Sequence, residues 1–171
     1  MKFELTKEFL QEIIDKIDRQ EFELIKTELS ELHNVDIAEL IEELDEKYGK
    51  ILFELFEDET SAEILVELDE ESREVVLEDL SSQEIAEDLI ENLDSDDAAD
   101  IIADLPSDKK VEVLSHIEDI EHASDIVDLL SYPENTAGGL MGKELIKVNE
   151  KWAVLRCVRE MRKQAEEVDK V

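Results

Sequence analysis

The chain has one cysteine, Cys157, two prolines and four glycines in 171 residues. A lone thiol excludes an internal disulfide and suits a reducing compartment, where such a residue is more often an apolar filler than a nucleophile. Aromatics reach only 5%, so a core must be built from Leu, Ile, Val and Ala. Basic residues are scarce: 18 Lys and Arg stand against 50 Asp and Glu, a formal net charge of −32. That deficit argues against nucleic acid as a partner, because phosphates are held by Lys and Arg. It also disfavours an anionic membrane surface. No stretch approaches the roughly 18 apolar residues of a membrane-spanning helix. Glu4, Glu8, Glu12 and Asp15 interrupt any N-terminal run that could act as a signal peptide. A soluble piece with no direct membrane insertion is expected. His33, His116 and His122 lack zinc spacing and suit helix ends or the surface. No nucleophile elbow or phosphate-cradling glycine loop is present, so no enzyme is expected.

What the chain does have is regular apolar spacing. Charged residues make up 40% and apolar residues 42%, and the even spread of the latter argues against disorder. Phe9, Leu10, Ile13, Ile14 and Ile17 form one helical stripe after a capping Thr6; Phe22, Ile25, Leu29 and Leu32 form a second. Leu44, Phe56, Leu68, Leu80, Leu93, Leu105, Ile117 and Leu129 then recur about every 12 residues, with one longer step. Polar breaks follow them, rich in the Asp and Ser that cap helices: Leu44-Asp45, Leu68-Asp69, Leu80-Ser81-Ser82, Leu93-Asp94-Ser95 and Leu105-Pro106-Ser107. Thr60–Glu63 and Ser81–Glu84 have capping-box form. Helices this short are unstable alone, so each must lay its stripe on its neighbours. The expected fold is all-α: a superhelical array of short antiparallel helices over residues 1–131, like an armadillo or HEAT solenoid.

Tyr132-Pro133 breaks the rhythm, and three of the four glycines lie at Gly138, Gly139 and Gly142. Residues 132–142 therefore read as a junction. Beyond it, Leu145–Val148 suits a short strand or an extended arm. Trp152 to about Gln164 suits a helix with Val154, Leu155, Val158 and Met161 on one face. A strand and a helix cannot close a core alone, so residues 143–171 read either as the start of a larger domain or as a segment folded back on the array.

The junction phrase Leu130-Ser131-Tyr132-Pro133-Glu134-Asn135-Thr136-Ala137-Gly138-Gly139-Leu140-Met141 resembles the link between the cytosolic N domain and the first CBS domain of MgtE-type magnesium transporters. The acidic phrase Leu93-Asp94-Ser95-Asp96-Asp97-Ala98-Ala99-Asp100-Ile101-Ile102 is similar to one in the same N domain, and Leu32–Leu40 resembles its opening helix. Asn34-Val35 and Gly142 depart from the family pattern. The resemblance implies an N domain at 1–131 and an incomplete α/β CBS domain at 143–171, on the cytoplasmic side of the membrane. It implies partners too: the protein's own CBS domains and its transmembrane pore, in a homodimer whose dimerising surface this chain largely lacks. It further implies Mg²⁺ bound between acidic faces of the N and CBS domains, closing the pore when the sites are filled.

The same resemblance points to Asp96 and Asp100, with Asp97, Glu63 and the backbone carbonyl of Gly139, as metal ligands. Each has a plain structural alternative. Asp96 and Asp97 suit a first helical turn, where the dipole favours acids. Glu63 suits a capping box with Thr60. Gly139 suits a turn. A second reading of the whole chain needs no metal: an acidic helical-repeat scaffold of the armadillo or FliG kind that binds a basic partner.

Overall fold

Local capping chemistry opens the first helix. The Thr6 hydroxyl accepts from the Phe9 amide at 3.2 Å, and α1 runs Lys7–Asp18 with Ile13 and Ile17 buried. The chain leaves it through Gln20, at φ 58°. The Gln20 and Glu21 amides return to the carbonyls of Ile17 and Lys16 at 2.9 and 3.0 Å, which satisfies the open end of the helix. The computed structural model describes residues 5–133 and 135–165. The extreme ends of the expected 1–131 and 143–171 segments, and Glu134 of the junction phrase, lie outside the described residues.

Short helices follow: α2 Phe22–Leu29, α3 Asn34–Glu42, α4 Glu46–Phe53, α5 Asp58–Glu67 and α6 Glu70–Leu77. Helix α7 spans residues 82–92 in three parts: an α turn Ser82–Glu84, a π turn Ile85–Leu89 and a 3-10 turn Ile90–Asn92. Then come α8 Ser95–Asp104, α9 Ser107–His116, α10 Ile120–Leu129 and α11 Val154–Gln164. The described residues contain no strand, so Leu145–Val148 is an extended arm.

The 12-residue cadence marks helix ends. Leu68, Leu105 and Ile117 are the residues that close α5, α8 and α9. The one longer step, from Leu80 to Leu93, contains the π turn. A π turn is the way a helix absorbs one extra residue, and here Ile85, Ala86, Leu89 and Ile90 all stay buried across it.

From α3 onward, packing is largely between each helix and the next but one: α3 on α5, α4 on α6, α5 and α9 on the π turn of α7, and α8 on α10. The resulting core is aliphatic, with Phe53 its one buried aromatic among the described residues. Burying each such Leu or Ile gains about 1.5–3 kcal/mol, which is what holds helices too short to persist alone. The scarce cations add ties between helices, some of them outside these pairings. Lys50 bonds Glu78 and Asp79 at 3.0 and 2.6 Å. Arg73 bonds Asp104 at 2.7 Å and the Leu68 carbonyl at 2.9 Å. Lys109 reaches the Leu77 carbonyl at 2.9 Å.

Caps fall where expected at Asp69, which accepts from the Ser72 amide at 2.8 Å, and at Ser81, where both bonds of a capping box with Glu84 are made. The expected box at Thr60 is not formed. Helix α5 starts earlier, at Asp58 after Glu57, so Thr60 lies inside the first turn. Asp58 and Glu59 suit that turn through the helix dipole. Pro106 both follows α8 and occupies the N-cap position of α9. His33 and His116 sit at helix ends, and His122 Nε2 lies 3.2 Å from the Ile90 carbonyl.

The C-terminal part is different. Helix α11 forms where expected, yet its apolar face is open: Val154 is 77% and Leu155 76% exposed, and Val158 and Met161 are exposed as well. Gln164 brackets the extended arm, accepting from the Lys147 amide at 2.7 Å and donating to its carbonyl at 2.9 Å.

Candidate metal centre

Helix α8 begins in an unusually acidic stretch. Asp94 is its N-cap residue, Ser95 its first residue, and Asp96 and Asp97 fall in its first turn. Ser95 is fully buried. The carboxylate that caps it comes from far along the chain: Glu144 accepts from the Ser95 amide at 2.9 Å and from the Ser95 hydroxyl at 3.1 Å. Burial pushes the Glu144 carboxyl up, but these bonds and those from backbone amides outweigh it and leave it below its usual value.

Asp96 and Asp100 lie one turn apart on α8. Together with Ala99, Ala103 and Lys110 they line one wall of an open cleft of about 500 Å³. The other wall is the end of α10 and the turn that follows, with Tyr132, Pro133, Asn135 and Gly139. That turn is held by Thr136, whose hydroxyl donates to the Pro133 carbonyl at 2.8 Å and accepts from the Gly139 amide at 3.2 Å. With its N–H committed, Gly139 has only its carbonyl to offer a ligand. Lys110 donates its ammonium to the Ala103 carbonyl, at the C-terminal end of α8, where the dipole favours a cation.

The glycines here answer to crowding. A Cβ at Gly138 would stand 2.5 Å from Tyr132 Cδ1, too close for any side chain without moving the ring. A Cβ at Gly142 would stand 3.4 Å from Asp96 Oδ2, so the arm passes close beside that carboxylate. Among the described glycines none has positive φ.

Of the five residues expected as ligands, Asp96, Asp100 and Gly139 come to one cleft. Asp97 does not line it, but it forms a tight group with Asp94 and Asp96, one carboxylate oxygen from each lying within 4.8 Å of the others. Glu63 is elsewhere, on α5, where its carboxylate accepts from the Asn34 amide group. The donors at the cleft are all oxygens, the set that suits Mg²⁺ or Ca²⁺ and not a soft metal.

Two residues that position this region had no sequence signal. Glu144 lies 49 positions from Ser95, and no local pattern links them. Lys143 pairs with Asp128 of α10, a bond that raises its pKa.

The family model described as the MgtE intracellular N domain matches residues 32–135. No curated protein matches the chain. Two solved structures resemble it closely in fold. The soluble part of a magnesium transporter aligns with a TM-score of 0.76 at 22% identity, covering 94% of this chain and 62% of that one. The cytosolic domain of the Mg²⁺ channel MgtE in complex with ATP aligns with a TM-score of 0.79 at 25% identity, covering 95% and 64%. The chain thus spans somewhat under two thirds of the length of each.

Proposed function

The chain belongs to the MgtE intracellular N domain family, and on that premise we propose that it is a cytosolic Mg²⁺-sensing regulatory part of a magnesium transporter. Residues 1–131 are the helical N domain, built as a superhelical array. Residues 132–142 are the junction, and residues 143–171 begin a CBS domain. In the full-length protein the N domain docks on its own CBS domains, within a homodimer, and docking closes the transmembrane pore.

One observation carries this reading: Asp96, Asp100 and Gly139 line one cleft, although the glycine is 39 residues beyond Asp100 in the chain. Asp96 and Asp100 hold like charges one turn apart, an arrangement that costs roughly 0.2–0.5 kcal/mol in an isolated helix. Asp94 and Asp97 add to the repulsion around the first turn. A hard cation bound there relieves it while keeping several waters, and so has coordination positions left for a second acidic face. The side chains of α8 supply half of a divided site, and the Thr136 turn brings Gly139 to the same space. Because the docked arrangement gains from the cation and the undocked one does not, cation level sets the balance between them.

Thermal unfolding in Mg²⁺ against a monovalent salt of matched ionic strength tests this. Mg²⁺ at about five times its Kd should stabilise the chain by about 1 kcal/mol beyond screening, and Asp96→Asn with Asp100→Asn should abolish the excess. A chain extended through both CBS domains should respond more strongly. Equal response to the two salts in that longer chain rejects the sensor and leaves a scaffold that binds a basic partner.

A further inference from the structure

The cleft is assembled from two segments that lie far apart along the chain, and something must hold them together before a cation arrives. The Thr136 turn fixes one end of the arm. At the other end Glu144 grips Ser95 through both its amide and its hydroxyl, at 2.9 and 3.1 Å, and also accepts from the Lys143 amide at 3.0 Å. Lys143 adds its pair with Asp128, and Met141 packs against the core. Gly142 lies between these anchors, beside the Asp96 carboxylate.

We propose that Glu144 is a positioning residue for the cation site. By capping α8 at Ser95 it holds the arm, and with it Gly139 and Gly142, against the helix turn that carries Asp96. Its oxygens are already engaged by Ser95 and by the Lys143 amide, so its part is to set geometry and not to ligate. Its charge is matched locally by the helix N-terminus, which lets one more carboxylate sit in an acidic region without loosening it. Removing the latch leaves every proposed ligand in the chain but lets the glycine-bearing segment drift, and an unorganised site binds more weakly. The proposal rests on Asp96 and Asp100 holding a cation.

A residue-resolved NMR titration of the 171-residue chain with Mg²⁺ tests it, following the amides of Asp96, Asp100 and Gly139. Amide exchange at Ser95 without Mg²⁺ reports the latch itself. Glu144→Ala should accelerate Ser95 exchange and weaken Mg²⁺ about tenfold, the scale of losing an outer-shell partner. Glu144→Gln keeps an oxygen for the Ser95 amide and should bind Mg²⁺ within about twofold of the parent. Equal weakening in both variants overturns positioning, because the charge would then be what matters. Unchanged affinity in Glu144→Ala, with affinity lost in Asp96→Asn/Asp100→Asn, overturns the latch and leaves the site standing. Parent-like binding in Asp96→Asn/Asp100→Asn removes the cation site and the proposal with it. If Glu144→Ala loses helical circular dichroism, Ser95→Ala replaces it, with a smaller weakening expected and parent-like affinity overturning the proposal.

Discussion

Residues 1–131 carry 43 acidic and 10 basic side chains, whereas residues 132–171 carry 7 and 8. The two regions also differ in how they bury apolar surface. In the first, Ile13, Ile25, Leu40, Ile64, Leu65 and Ile102 are fully covered. In the second, Leu145, Val154 and Leu155 stand in solvent. The more highly charged region is thus the better closed. Net charge does not decide closure here; partners do. From α3 onward each helix of the array finds a neighbour two places along, and its acids face outward. Helix α11 separates its apolar and basic faces cleanly, yet the described residues offer no cover for the apolar one.

The largest effect that can break this contrast is a core truncation. Leu65→Ala should cost about 3 kcal/mol, while Leu155→Ala, on the open face of α11, should change stability by less than about 0.5 kcal/mol. Urea denaturation of both variants checks the pair, and a comparable loss at Leu155 would mean that α11 is packed in solution. A capping comparison sharpens the picture within the array. Ser81→Ala removes a formed capping box and should cost about 1 kcal/mol. Thr60→Ala removes no cap and should fall within about 0.5 kcal/mol of the parent.

A smaller change has the opposite sign. Gln20 holds the left-handed conformation that glycine adopts freely, so Gln20→Gly should raise stability by about 0.5–1 kcal/mol. Thermal melting reads this directly. The smallest effect is in pH dependence. Asp69 is held below its ordinary value of 3.8 by bonds from Ser72, and Glu84 below 4.5 by bonds from Ser81. Folded values below the unfolded ones mean stability that is complete above those ordinary values and is lost as pH falls through the folded ones. The stability gap between the parent and Asp69→Asn/Glu84→Gln should therefore hold from neutrality downward and close only in that acid range.

What was legible in the sequence was what is local. Thr6, Asp69 and Ser81 cap helices because the oxygen and the amide it serves are three residues apart. The stripes of α1 and α2 follow from spacing alone. Thr60 shows where local reading fails: Asp58 and Glu59 offered the helix an earlier start, and a cap sequence does not exclude a rival a few residues before it. The junction glycines suit a joint in the sequence, but at Gly138 the Tyr132 ring leaves no room for a side chain. That ring contact, like the bond from Glu144 to Ser95, depends on how the chain returns on itself, and periodicity carries no record of the return. The family resemblance placed Asp96, Asp100 and Gly139 on the list of ligands; their common cleft became visible only with the fold.

The π turn at Ile85–Leu89 has a consequence of its own. An extra residue in an ordinary helix would rotate everything after it by about a quarter turn, moving Ile90 out of the interior and, through the link at Leu93, throwing α8 off its heading. The wider turn works as a leap day does in a calendar: one surplus unit is absorbed at a fixed place so that every later date stays in season. The acids at the start of α8 therefore owe their direction partly to an irregularity in the helix before them, and a deletion inside that turn is the change of length the array is best prepared to accept.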